Sequence, residues 1–482
     1  MKRIWRLWAL LLVWFPQMAM SQNFDDAFKA FASQNQQSFN HFADSINRQF
    51  AAAMETHMKA FIGEEPKVRD SRPKPKQLPV LEDAPAPENL PAPIPEPESK
   101  PERDKPQPEP VPEKPAIPSA PAENLNVMDL NLFGEPLQIV KPSFPARLNG
   151  ISPKDVSDFW IHLSECNYKA MVHACKTVQK QLAFNDWAVY QLVLQLAQKT
   201  YNGLYDEQAV MTVFLLNQLG LEAKVGFEKS HLFCLLAFEQ QLYGISFSDV
   251  NGTRYYLFET DPKYAKQKQN YTFWTYDHSF PAPTHGLDMN IRQTMKIRHQ
   301  NVETICDSCI DINMSMIELF ATYPQVDIEV YANAKPSEDF SQSIDRLIKP
   351  YLADLSTLES VSFLLAYLQY GFEYAADDEQ FGYEKPFFCE ENYYYAKNDC
   401  EDRSILFSYL VRHLLHLDVV LIDYPGHLAT AVHFPMEIGG ESVVYKGKRY
   451  VICDPTYLGA PVGVEMPEYT AKDRTIIPIK KL

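Results

Sequence analysis

The chain has 482 residues, room for two or three domains, and its 45 basic against 62 acidic residues leave a formal charge of −17. That balance, with no Lys/Arg cluster beyond the first residues, excludes a nucleic-acid binder. There is no phosphate-binding loop and no metal-ligand spacing, so no cofactor and no metal are expected. What remains is an acidic polypeptide with ordinary apolar content and an unusual 36 prolines.

Lys2 and Arg3 followed by the apolar run Ile4 to Phe15, the breaker Pro16 and the small residues of Ala19-Met20-Ser21 read as a signal peptide over 1–21. The run is too short to span a bilayer, which takes about 17–25 residues. The mature chain is therefore expected outside the cytoplasm, periplasmic or secreted, with no membrane span. Disulfides are permitted there. The eight cysteines are nevertheless scattered, and Cys306 and Cys309, the one close pair, fit a local disulfide or two unpaired thiols better than a zinc site.

Residues 22–64 read as one amphipathic helix. Phe28, Phe39, Phe50 and Phe61 recur every eleven residues, Phe31 and Phe42 repeat the step, and so do Phe24 and Ile46 at twice the interval. Eleven residues make three turns at about 3.67 per turn, so the rings line one side. That stripe, over 24–61, must pack on the chain itself, self-associate or meet a partner. Residues 65–125 read as a disordered spacer, since 18 of the prolines fall between 66 and 121 with few apolar side chains between them.

Asn185 to Tyr201 is a capped helical pattern, and from there the chain repeats itself. Displaced by 196 residues, Asp206 falls on Asp402, Leu219 and Leu221 on Leu415 and Leu417, and His231 on His427. TRYYLFETDP (253–262) likewise parallels KRYVICDP (448–455). Leu204 stands where the second copy has Cys400, so residues 126–265 are read as a degenerate copy without a nucleophile. Residues 266–345 are expected to be β-rich, with strands between Asp311 and Ala334, followed by a capped helix from Ser337 to Leu352.

The second copy, 346–482, carries the chemistry. A helix from Leu358 to Tyr370 and a long aromatic loop lead to Cys400 at the start of a leucine-rich helix. Val419 to Ile422 is a strand, Tyr424-Pro425-Gly426 a turn, and His427 opens the next strand; Tyr450 to Cys453 is a further strand ending at Asp454. A thiol at a helix N-terminus meets free N–H groups and a positive dipole end, which lower its pKa from about 8.5. Cys400, His427 and Asp454 then stand in the order nucleophile, base and orienter, as acyl transfer requires. The Cys400 N–H is a natural oxyanion donor. Asp399, Asp402 and Arg403 are expected to cap and brace the helix, Cys453 to be a structural thiol, and Cys389 a loop thiol.

NDCEDRS, GHLATAVHF and a strand ending in CDPTY resemble the transglutaminase-like superfamily, over about the last 130 residues. The resemblance implies an α+β, papain-like fold, with a nucleophile helix packed on an antiparallel sheet. It also implies a Cys400–His427–Asp454 triad. Members include transglutaminases, cysteine peptidases, amide hydrolases and inactive relatives. The implied activity is cleavage or transfer at a peptide or protein amide bond through a thioester, peptidase-like in preference. The alternative is an inactive relative serving as a binding or scaffold module. The family's aromatic two residues after the histidine is replaced here by Ala429.

Overall fold

The structure is a computed structural model and describes residues 43–69, 74–81, 126–143, 145–264, 271–291, 302–305, 310–395, 397–469 and 474–482. The expected signal segment 1–21, the phenylalanines from 24 to 42, the expected spacer from 82 to 125 and Cys306 and Cys309 lie outside the described residues. Among the described residues the fold mixes helices with two larger antiparallel sheets and three two-stranded ones. No helix among the described residues is long and apolar enough to cross a membrane.

The two sheets share one strand order. The C-terminal sheet runs Ser442–Tyr445, Lys448–Cys453, His427–His433, Asp418–Tyr424, Thr475–Pro478. The N-terminal sheet runs Phe247–Val250, Thr253–Phe258, Leu232–Ala237, Ala223–Phe227, Thr272–Tyr276, and adds Met58–Ile62 as a sixth strand at its edge. Each first hairpin follows a buried helix, Cys400–Leu415 in one half and Tyr205–Leu219 in the other. The helix ends agree as well: His416 (φ 55°) and Gly220 (φ 90°) are left-handed caps at equivalent positions. Each second hairpin turns on two residues with positive φ, Lys446-Gly447 and Asn251-Gly252, which is the geometry of a tight hairpin turn matched to strand twist.

Every residue from Cys400 to Arg412 is buried. The helix is clamped between the strand beginning at His427 and the helix Thr357–Gly371, and Ser404 Oγ donates to the Leu428 carbonyl at 2.8 Å. Leu406 and Leu410 are fully buried, each contributing about 1.5–3 kcal/mol of apolar burial. Arg403 holds the helix start in place: its Nε donates to Asn398 Oδ1 (2.8 Å) and its Nη2 to the Phe372 carbonyl (2.7 Å).

Three stretches depart from the sequence expectations. The expected helix over 22–64 ends by residue 56, and Met58–Ile62 is a strand paired with Thr272–Tyr276. Phe50 is buried against Trp160, Tyr276 and Phe280, whereas Phe61 sits on the strand and stacks on Phe273. The periodicity thus runs past the point where an open sheet edge takes over the backbone hydrogen bonds. Between Asp311 and Ala334 the chain is mainly helical, as Met314–Phe320 and Ile328–Asn333. Asn313 starts the first of these by accepting from the N–H of Ser315 (3.1 Å), a local cap that outweighs weak β propensity. Finally, part of the spacer is ordered. Residues 65–69 and 74–81 run across both halves: the Gly244 N–H donates to the Lys67 carbonyl (2.9 Å), and Leu458 pairs through its N–H with Pro79 and through its carbonyl with Leu81 (2.8 Å each).

Candidate active site

The sharp turn at Pro425-Gly426, with Gly426 at φ 80°, lets Tyr424 pair with His427 and sets the imidazole at the very start of its strand. The neighbouring strand pairs Cys453 with Thr430, so Asp454 emerges beside the histidine. His427 Nε2 donates to Asp454 Oδ2 at 2.8 Å, with both groups buried. The other carboxylate oxygen accepts from the N–H groups of Thr456 (2.9 Å) and Tyr457 (3.2 Å). Gln369 reaches across from the helix Thr357–Gly371 and donates to the carbonyls of Asp454 and Ala460 (3.0 Å each). The imidazole is stacked against Tyr469, ring centroids 5.0 Å apart, with Tyr424 beyond at 6.2 Å. These rings supply the aromatic wall that Ala429 does not. With its Nε2 proton directed at Asp454, His427 presents Nδ1 as a base. That nitrogen is buried and has no hydrogen-bond partner among the described residues.

Cys400 opens its helix as expected, but its thiol donates to Glu401 Oε2 (3.0 Å), and no hydrogen bond links it to His427. It is fully buried. The expected lowering of its pKa is reversed. Burial pushes the thiol well above its ordinary range, and the Glu401 and Asp399 carboxylates beside it add to the shift. The favourable helix end is outweighed by burial and by the two carboxyl groups beside the thiol. Asp402 ties the helix start to the aromatic loop, accepting from the N–H groups of Asp399 (3.1 Å) and Phe387 (2.8 Å). Cys453 and Cys389 are buried and unbonded to other cysteines, the latter pushed up to about 12 by burial.

Sequence reasoning missed the acidic cluster and its cation. Asp399, Cys400 and Glu401 bring their ligand atoms within 4.8 Å of one another, as do Asp377, Asp399 and Asp402. Such sets could hold a metal ion, yet here the positive charge is Lys74. Its ammonium stands 2.7 Å from carboxylate oxygens of Asp399, Glu401 and Glu384, and 3.5 Å from Asp377. Arg69 adds a contact to Glu401 (3.2 Å) and a longer one to Asp423 (3.7 Å). Burial works against ionisation of Glu401, but Lys74 and Arg69 overcome it and bring the carboxyl down to about 2. Burial raises Asp377 to about 7, against the pull of Lys74. The one signal in the sequence was the density of acids in NDCED; its counter-charge lay in a stretch whose composition reads as unfolded.

The N-terminal half holds a matching pair. His231 Nε2 lies 3.0 Å from Glu259 Oε2, and the imidazole stacks on Tyr264 at 3.7 Å. Cys234 pairs with Phe258 there as Thr430 pairs with Cys453 in the C-terminal half. The strand register therefore puts Glu259, rather than the aspartate of the TDP string, in the place of Asp454. Leu204 precedes the helix where Cys400 stands in the other half. Compared with family models, with curated proteins and with solved structures, the chain matches none.

Proposed function

We propose that the chain is an exported cysteine-nucleophile enzyme of transglutaminase-like type. It cleaves or transfers at an amide bond through a thioester on Cys400, with peptide hydrolysis the favoured outcome. The observation that carries this reading is the buried His427–Asp454 pair, aromatic-walled and with Nδ1 uncommitted, on the strand against which the Cys400 helix is bolted. In the reaction, Cys400 turns from Glu401 toward His427, gives its proton to Nδ1 and attacks the carbonyl carbon. The imidazolium is stabilised by Asp454 and returns the proton to the leaving amine. Water or an amine then resolves the thioester, with His427 again the base. The N-terminal half, with leucine at the nucleophile position, is a degenerate copy kept as architecture.

A second reading is a non-enzymatic binding module. It is favoured by one observation, the thiol's complete burial on Glu401. Alkylation of Cys400 by iodoacetamide, located by peptide mass mapping, separates the two. It is measured in an R69A/K74A background, where the covering cations are gone. For an enzyme, adding His427→Ala slows alkylation at neutral pH by tenfold or more. A rate equal to that of a free cysteine peptide, and indifferent to His427→Ala, would establish the module.

A further inference from the structure

Residues 65–69 and 74–81 lie across the Cys400 cleft, and only their far end, Leu81, packs on the core of the C-terminal sheet. Arg69 and Lys74 line the same cleft as Glu401, Gly426 and His427. The Lys74 ammonium contacts Asp399 and Glu401, the carboxylates whose oxygens lie within 4.8 Å of the Cys400 sulfur. Just beyond it, Tyr374 donates its hydroxyl to the Pro75 carbonyl (2.6 Å). Further along, Leu458, four residues past Asp454, exchanges two backbone hydrogen bonds with Pro79 and Leu81. Main-chain pairing along an extended segment, together with one side chain seated in a charged pocket, is the way peptides are recognised in grooves.

We propose that the cleft over Cys400 binds an extended polypeptide through a cationic side chain, and that residues 65–69 and 74–81 are its built-in occupant. Lys74 takes the place of a substrate lysine or arginine, and the chain is latent until the strap is displaced. This inference rests on the enzymatic reading of the cleft and adds its substrate class and its control. Three features fit together on it. Four carboxylates converge on one ammonium that belongs to a remote segment. The thiol beneath is fully covered. The strap is held at both ends by backbone bonds, so that lifting it requires no change in either sheet.

The test uses the full chain, with iodoacetamide alkylation of Cys400 as the readout of cleft access. In the wild type the rate lies well below that of a free cysteine peptide. The R69A/K74A variant raises it tenfold or more, and Lys74→Arg, which keeps the cation, does not. A synthetic peptide of residues 65–81, added in trans to R69A/K74A, slows labelling again; the same peptide with Lys74→Glu leaves the rate unchanged. Leu81→Pro, which removes the N–H bonded to Leu458 together with the leucine side chain but keeps both cations beside the thiol, is labelled in parallel and stands in for R69A/K74A should that variant fail to fold by circular dichroism; faster labelling is again expected. A folded opened variant that labels no faster than wild type overturns the strap. If instead the native and the charge-reversed peptides protect equally, recognition through the cation is overturned. Failure of the enzymatic reading looks different: the opened variant labels fast, and His427→Ala does not slow it.

Discussion

Lys74 Nζ lies 2.7 Å from Asp399 Oδ2, a buried ion pair between residues 325 positions apart. It joins a proline-rich segment to the cap of the helix that begins with Cys400. Because Glu401 shares the same ammonium, the contact also sets the charge around the thiol. Lys74→Met is expected to open the strap rather than unfold the chain. Water then reaches the carboxylates, and the loss of stability stays below the ~3–5 kcal/mol that breaking a pair in a sealed core would cost. Limited proteolysis reads the difference: cleavage between residues 65 and 81 accelerates, while the urea midpoint moves little.

The cluster gives the protein two separate pH dependences. Asp377 titrates at about 7 in the folded chain against an ordinary 3.8, through burial, with Lys74 opposing. The folded state therefore holds a proton that the unfolded state has lost. Its contribution is full below 3.8 and disappears as pH rises through about 7. Asp399 and Asp402, raised by burial, act in the same sense. Glu401 acts in the opposite one: at about 2 against 4.5, its contribution is full above 4.5 and is lost as pH falls through about 2. Urea unfolding over a pH series should show both slopes. Asp377→Asn should reduce the first without abolishing it, since Asp399 and Asp402 still contribute, and leave the second.

Asp454 has both oxygens committed, one to His427 and one to two backbone N–H groups. Asp454→Asn keeps the shape but no longer fixes the imidazole tautomer. The expected effect on turnover is a loss on the order of 10⁴-fold, as for triads in general. It is to be measured as acylation rate in an opened variant against a panel of peptide amides. A loss under tenfold would remove Asp454 from the mechanism.

Gln369 positions the loop that carries Asp454, through bonds to two carbonyls and one from the Gly459 N–H at 3.2 Å. Gln369→Leu leaves those buried groups unpaired, at a cost of about 1–3 kcal/mol in stability. Thermal unfolding gives that number. Because the loop then loosens, the acylation rate of the opened variant should drop as well, without a shift in its pH profile.

His231 is the control for the second copy. His231→Ala breaks the contact to Glu259 and the stack on Tyr264, and should destabilise the chain by about 1–3 kcal/mol. Alkylation of Cys400 in an opened variant should not change. A parallel loss of Cys400 reactivity would mean that the two halves are coupled rather than merely alike.

The helix Cys400–Leu415, the turn before His427 and the strand that ends at Asp454 could be read from the chain because their signals are local. They rest on helical spacing of leucines, a Pro-Gly turn and a short alternating strand. The like order of helix, hairpin and histidine in the two halves could be read for the same reason. The strand at Met58–Ile62 could not, since phenylalanines spaced for a helix face fit equally well on an edge whose partner, Thr272–Tyr276, lies far along the chain. Tyr469 and Gln369 carried no signal at all; each matters only because folding sets it beside His427 or Asp454.

By itself the sequence determined which residues could do chemistry and in what order they follow one another, because side-chain identity and short-range periodicity are properties of the chain. The charge state of Cys400 was decided only by the tertiary structure. A helix N-terminus favours the thiolate, but burial and the neighbouring Glu401 and Asp399 reverse the preference. Whether those acids are themselves balanced depends on Lys74, which arrives from a segment too polar to fold alone. Electrostatic energies in a buried site depend on distances through space, and those distances exist only once the chain has closed on itself.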